Sequence, residues 1–214
     1  MSIMKTTVRK DIPFALVASA LLLIMCLDGD ISRIDAAILF VMFLIFMYIT
    51  LRGAKAQGTD VEEKEKKPMG TWLSVVWILV GLACLIGGSN LFVDGATAVA
   101  TKLGVSEAVI GLTIVAGGTS LPELATSVVS ARKGNSGIAI GNVLGSNVFN
   151  ILAILGLTGV ISPMTLKGIT MTDLSMMVIS IILIWLFSFT KYKIERWEGA
   201  ILTAVFVGYI YSLL

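Results

Sequence analysis

Seven apolar runs divide the chain, at about 12–27, 34–51, 72–93, 105–131, 138–161, 171–190 and 199–214. A helix that crosses the hydrocarbon core of a bilayer needs about 20 apolar residues, within a range of about 17–25. The pattern therefore predicts seven transmembrane helices, the first of them on the short side. The runs at 105–131 and 138–161 differ from the rest, being long and interrupted by Gly and small polar residues. Lys5, Arg9 and Lys10 precede the first run, as in a secretory signal. The sequence Met25-Cys26-Leu27-Asp28 at its end offers no small-residue cleavage site, so the run reads as a membrane helix.

Basic residues sort the loops. Lys5, Arg9 and Lys10 precede run one. Arg52, Lys55, Lys64, Lys66 and Lys67 lie between runs two and three. Arg132 and Lys133 follow run four, and Lys191, Lys193 and Arg196 lie between runs six and seven. With seven crossings all of these fall on one face of the membrane. Only Arg33, Lys102 and Lys167 fall on the other. The positive-inside rule then predicts a multi-pass protein of the cell membrane with its N-terminus in the cytoplasm and its C-terminus outside. The stretch 53–70 (GAKAQGTDVEEKEKKPMG) is the one long polar segment and reads as a solvated cytoplasmic linker.

Composition narrows the function. Hydrophobic residues make up 57% of the chain and charged ones 14%, against about 25% charged in a typical soluble domain; the mean hydropathy is +0.95. A net charge of +2 is too small to suggest nucleic acid as a partner. The absence of histidine removes Ser-His catalysis, His-ligated zinc and His-ligated haem. Cys26 and Cys84 sit inside apolar runs and read as small hydrophobes.

One acid stands apart. Thirteen of the carboxylates lie in loops or near run ends, but Glu123 lies deep in run four with no basic residue at its depth. An ionisable group inside a span is costly and marks a functional candidate. Just before it, in Ala116-Gly117-Gly118-Thr119-Ser120-Leu121-Pro122-Glu123, Pro122 removes a backbone N–H and crowds the carbonyl four residues back. These features predict a helix that stops near Ala116 and restarts near Ser120. Broken helices in membranes persist where their free backbone lines a cavity or is buried in protein, and transporters place ions at such breaks. The same Ser-Leu-Pro-Glu order also fits a capping box, which explains Glu123 as a cap. Thr119, Glu123, Thr126, Ser127 and Ser130 share one helical face. For Ser127 and Ser130, packing between helices is the favoured reading.

Run five places Asn142, Ser146 and Asn150 four residues apart on one face, with Gly141 and Gly145 as a small-residue pair. Hydroxyl and amide oxygens are neutral ligands that calcium accepts beside carboxylates. The same stretch also fits an interface that joins helices. The short link from Arg132 to Gly137 makes runs four and five antiparallel neighbours, with Glu123 and Ser146–Asn150 at similar depth. The joint occurrence of the two segments points to an oxygen-lined cation site.

The stretch GGTSLPELATSVVSARKGNSGIAIGNVLGSNVFNI resembles the second alpha-repeat of the sodium/calcium exchanger family, among the calcium/cation antiporters. The resemblance runs from about Leu82 to the C-terminus. It implies an all-α membrane fold: one five-helix repeat of an inverted-repeat exchanger (71–214), two preceding helices (1–52) and the linker 53–70, with breaks near 117–122 and 145–146. It implies an antiporter moving Ca2+ against Na+ by alternating access, not an enzyme and with no cofactor; K+ or H+ are further candidate ions. Carried over, Glu123 is the main carboxylate. Thr119 and Ser120 are hydroxyl ligands, Ala116 offers its carbonyl, and Ser146 and Asn150 contribute from the next helix. Asn150 stands where some members have Asp, which leaves sodium number and potassium dependence open. Segments like those of the family's first repeat do not occur in 1–80. A truncated gene, an expression fragment, or a half that needs a partner repeat beside the lipid bilayer and inorganic cations all fit. A non-transporting remnant or assembly subunit is the alternative. An intramembrane hydrolase using Ser120 or Ser146 ranks far below, for want of a base.

The charge sorting has a direct test. In a background lacking Cys26 and Cys84, a cysteine introduced at Asn135 is expected to react from the cytoplasmic side. Labelling only from the opposite side would refute the assigned orientation.

Overall fold

The computed structural model describes residues 1–56, 70–166, 168–189 and 192–213. Most of the linker predicted at 53–70 lies outside the described residues, as do Lys167 and Lys191. All seven apolar runs are helical, in eight helices: α1 (Thr7–Asp28), α2 (Arg33–Ala56), α3 (Thr71–Lys102), α4 (107–119), α5 (Leu121–Arg132), α6 (Ser136–Ile161), α7 (Met171–Phe189) and α8 (Arg196–Leu213). Five of them, α1, α2, α3, α6 and α7, are each long and apolar enough to span a bilayer. Large apolar side chains lie open along their surfaces, Trp72 at 80% and Leu91 at 76% exposure among them. Water would oppose such exposure; hydrocarbon does not. The chain is an all-α, multi-pass membrane protein.

The break expected near 117–122 is present, but its stop and the second expected break differ from the sequence reading. The fourth run divides at a single residue, Ser120, and Ala116–Thr119 is still helical. The stop expected near Ala116 therefore comes one turn later, because only Pro122 and not the glycine pair ends the ladder. No break occurs near 145–146. The helix runs unbroken through Val148 and then widens into a π-helical segment, Phe149–Leu155. A second π segment, Gly111–Val115, precedes Ala116. Neither has a sequence signature, since a widened turn is made by packing and not by any one residue type.

Two compact units emerge, Met1–Met47 with Thr126–Leu214, and Tyr48–Ala125. In the first, α1 is central. Its buried residues Val8, Ile12, Ala15, Ala18, Ser19, Leu22 and Cys26 recur at helical spacing and pack on α7 and α6. The Trp185 indole N–H donates to the Val8 carbonyl at 3.1 Å. α6 crosses α2 at two glycines. A Cβ on Gly156 would lie 2.8 Å from the Phe40 backbone nitrogen, and one on Gly159 would lie 2.6 Å from Ala36 Cβ. Helices in lipid gain contact by such close approach. A Cβ at Gly141 or Gly145, the pair singled out in the sequence, would meet nothing among the described residues.

Helix starts in this unit are capped from within. Ser32 and Asp35 exchange hydrogen bonds ahead of α2, as Thr170 and Asp173 do ahead of α7. Beside them the chain forms a small antiparallel pair that the all-helical pattern does not predict, β1 (Asp30–Ile31) with β2 (Met164–Thr165). Tyr209 of α8 donates to Asp173 at 2.7 Å. Ser2 bridges to Lys193, tying the N-terminus to the α7–α8 connection.

In the second unit α3 packs along α4. Among its described residues only Ser89 and Ala100 are buried. Both meet α4 or its approach, and most of the rest of the helix is exposed.

Gly156→Leu is expected to lower stability toward heat or denaturing detergent by about 1–3 kcal/mol, because α2 backbone occupies the space. Gly141→Ala, with no neighbour to displace, is expected to leave stability unchanged or slightly raised.

Candidate ion site

A run of local choices places the first group of candidate ligands. Pro122 cannot donate to the Gly118 carbonyl. The amide of Ser120 turns back to Gly117 at 3.2 Å, and Ser120 takes φ −91° and ψ 0°, ending α4. α5 begins at Leu121, with Glu123 in its first turn. The two half-helices present complementary ends. The C-terminal end of α4 carries carbonyl oxygens and a partial negative charge, which suits a cation. The N-terminal end of α5 carries a partial positive charge, which stabilises a carboxylate at Glu123. Glu123 is half-buried, while Thr119 and Ser120 are exposed.

The Thr119 hydroxyl donates to the Ala116 carbonyl at 3.0 Å. Its proton is thereby directed inward, and its oxygen keeps acceptor capacity for a ligand. The Ala116 carbonyl retains a second lone pair. Ala116, Thr119, Ser120 and Glu123 thus come together in little more than two turns of broken helix.

Ser89, which the sequence reading passed over, completes the break. Its hydroxyl donates to the Gly118 carbonyl at 2.5 Å from α3. Gly118 itself is buried, and a Cβ there would lie 2.0 Å from Val93 Cγ2. Ser89 and Val93 lie four apart on one face of α3, so both reach the same point. A lone serine in an apolar helix carries no signal in the sequence; its partner is defined only in three dimensions.

The α5–α6 hairpin holds the second group. α5 ends in a left-handed Gly134 (φ +83°), whose N–H reaches Ala131 at 3.1 Å while that of Asn135 reaches Ser130 at 2.9 Å. This is a Schellman turn, and it reverses the chain. Across the hairpin, the Asn142 side-chain amide donates to the hydroxyls of Thr126 and Ser127, each at 3.0 Å. Ser127 is buried. It serves helix packing, as favoured from the sequence, and Asn142 joins it in that role.

Beyond Asn142, α6 carries Ser146 and Asn150. The Ser146 hydroxyl donates to the Val143 carbonyl at 3.1 Å. Asn147 Nδ2 donates to the same carbonyl at 3.0 Å, leaving its side-chain oxygen outward. Asn150 is exposed and belongs to the π segment Phe149–Leu155. The strict four-residue face expected for Asn142, Ser146 and Asn150 therefore holds only through Ser146. Past Val148 the widened turns change the direction of each side chain. Ser146 and Asn150 belong to the first compact unit, and Ala116, Thr119, Ser120 and Glu123 to the second.

The other acids are structural where their contacts are described. Asp35 and Asp173 cap helices. Glu198, at 1% exposure, accepts the Glu195 amide at 2.7 Å at the start of α8. Among the described residues no three His, Cys, Asp or Glu side chains group as metal ligands.

Comparison with known proteins agrees with this architecture. The model of the family described as sodium/calcium exchanger protein matches residues 73–214. The inner membrane protein YrbG of Escherichia coli is 34% identical over 96% of this chain and 66% of its own length. The sodium/calcium exchanger MaX1 of Methanosarcina acetivorans is 41% identical over 64% of this chain and 39% of its own. The solved sodium/calcium exchanger from Methanococcus jannaschii superimposes with a TM-score of 0.77 at 30% identity, over 99% of this chain and 66% of that one. The chain thus spans about two thirds, or less, of the length of these relatives. By the family model and by this likeness in sequence and fold, the chain belongs to the sodium/calcium exchanger family, whose members are transporters and not enzymes.

Proposed function

We propose that this chain forms one half of the ion pathway of an antiporter that moves Ca2+ across the cell membrane against Na+ by alternating access. The observation that carries the reading is the break at Ser120. It gathers a carboxylate (Glu123), two hydroxyls (Thr119 and Ser120) and a carbonyl (Ala116) at facing ends of half-helices, the arrangement that hard cations favour. Ser146 and Asn150 add a hydroxyl and an amide from α6. On this reading 71–214 is the five-helix repeat, preceded by two helices (1–52) and the linker 53–70. The N-terminus lies in the cytoplasm and the C-terminus outside. No cofactor takes part; the ions are the cargo.

Calcium takes about six to eight oxygen ligands, commonly with more than one carboxylate. Glu123 is the one acid at the break. The remaining charge comes from an inverted partner repeat, which also closes the cavity. A single carboxylate at the break is compatible with this incomplete half. It equally suits the second reading, a non-transporting remnant or assembly subunit.

Two measurements separate these readings. In a complete exchanger carrying this half, Glu123→Gln is expected to abolish calcium uptake driven by a sodium gradient, and Ser127→Ala to reduce it far less. Near-normal uptake in the Gln variant would remove Glu123 as principal ligand. Residues 1–214 alone in sodium-loaded vesicles are expected to take up no more radioactive calcium than empty vesicles. Robust uptake that vanishes with Glu123→Gln would show that the half suffices.

A further inference from the structure

α3 is a long helix with an almost wholly open surface and two buried residues, of which Ser89 alone is polar. A hydroxyl inside an apolar helix ordinarily bonds back to its own helix, three or four residues earlier. Thr101 in the same helix does so, donating to Thr97 at 2.9 Å. Ser89 instead donates across to Gly118 of α4. Its acceptor is the carbonyl whose helical i+4 position is Pro122. One turn on, Val93 presses against the same glycine, in space that a Cβ would fill.

We propose that Ser89 is a positioning residue for the ion site: the Gly118 carbonyl accepts a backbone N–H at the end of α4, and the Ser89 hydroxyl supplies its second donor, in the place that Pro122 leaves open, and so fixes the break. Without that donor the Gly118 carbonyl keeps only the N–H at the helix end, and the segment from Ala116 to Glu123 loses its polar hold on α3. The contact also couples α3 to the broken helix through a polar bond. The role at an ion site rests on the function proposed above. The bond itself and its dependence on Pro122 do not.

The test uses the full chain in detergent or lipid. Labelling with 13C-carbonyl glycine and 15N threonine selects the three glycines that precede threonine, Gly58, Gly70 and Gly118. In Ser89→Ala one of the three carbonyl resonances is expected to move upfield, as a carbonyl does on losing a donor, and in Ser89→Thr to return. The second measurement is a double-mutant cycle read as the unfolding midpoint. Ser89→Ala is expected to lower the midpoint in the Pro122 protein and to lower it much less in Pro122→Ala, where residue 122 again has an N–H. If Ser89→Ala does not fold, Ser89→Cys, with its weak S–H donor, replaces it in both measurements. Unmoved glycine resonances, or equal losses of midpoint in the two backgrounds, would overturn the proposal. Coupling that persists while Glu123→Gln leaves calcium uptake intact would instead remove the ion-site reading and keep the latch.

Discussion

A proline has no amide proton to give, and at position 122 that lack falls within an apolar segment where water cannot replace it. Every backbone carbonyl in hydrocarbon must find a donor inside the protein. The helix answers locally, by ending α4 at Ser120 and drawing the Ser120 amide back to Gly117. It also answers from outside, through the Ser89 hydroxyl on the Gly118 carbonyl. Gly118 admits this help because it has no side chain in the way of α3. Proline, glycine and serine thus act as one device, spread over two helices.

From that device follows the electrostatics of the site. Two short helices that meet end to end expose carbonyls from one and amides from the other. A carboxylate in the first turn of α5 is stabilised by the amides, and a cation beside it is favoured by the carbonyls. The Thr119 hydroxyl sends its proton into its own backbone and keeps acceptor capacity on its oxygen, and in the other unit the Ser146 hydroxyl does the same. Membrane helices thereby acquire polar surface without stray donors.

The other compact unit obeys the same rule by different means. Its helix starts are closed by side chains that stand next to them in sequence, Ser32 with Asp35 and Thr170 with Asp173. Its helices approach where a Cβ is missing, at Gly156 and Gly159, and not at the more conspicuous Gly141 and Gly145. Asn142 joins α5 to α6 by filling both of its donors with hydroxyls. At these helix starts and across this hairpin, polar atoms are used by structure, as a medium without water requires.

Much of this was legible in the sequence, because lipid imposes a simple code. Runs of about 20 apolar residues had to be helices, and all seven are. Glu123 stood out by its depth, and Pro122 announced a break from its covalent structure alone. The family resemblance rested on contiguous motifs and was confirmed over 73–214. The remainder depended on distant parts of the chain. Whether a glycine pair meets a neighbour, where a helix widens into π turns, and which hydroxyl reaches which carbonyl are decided by packing. So the break moved from Ala116 to Ser120, the expected interruption at 145–146 became a π segment at Phe149–Leu155, and Ser89 came to light only beside Gly118. Sequence by itself determined the elements, because each residue carries its own hydropathy and its own backbone donor. Tertiary structure alone decided the partners, because a hydrogen bond between residues 29 positions apart has no local trace.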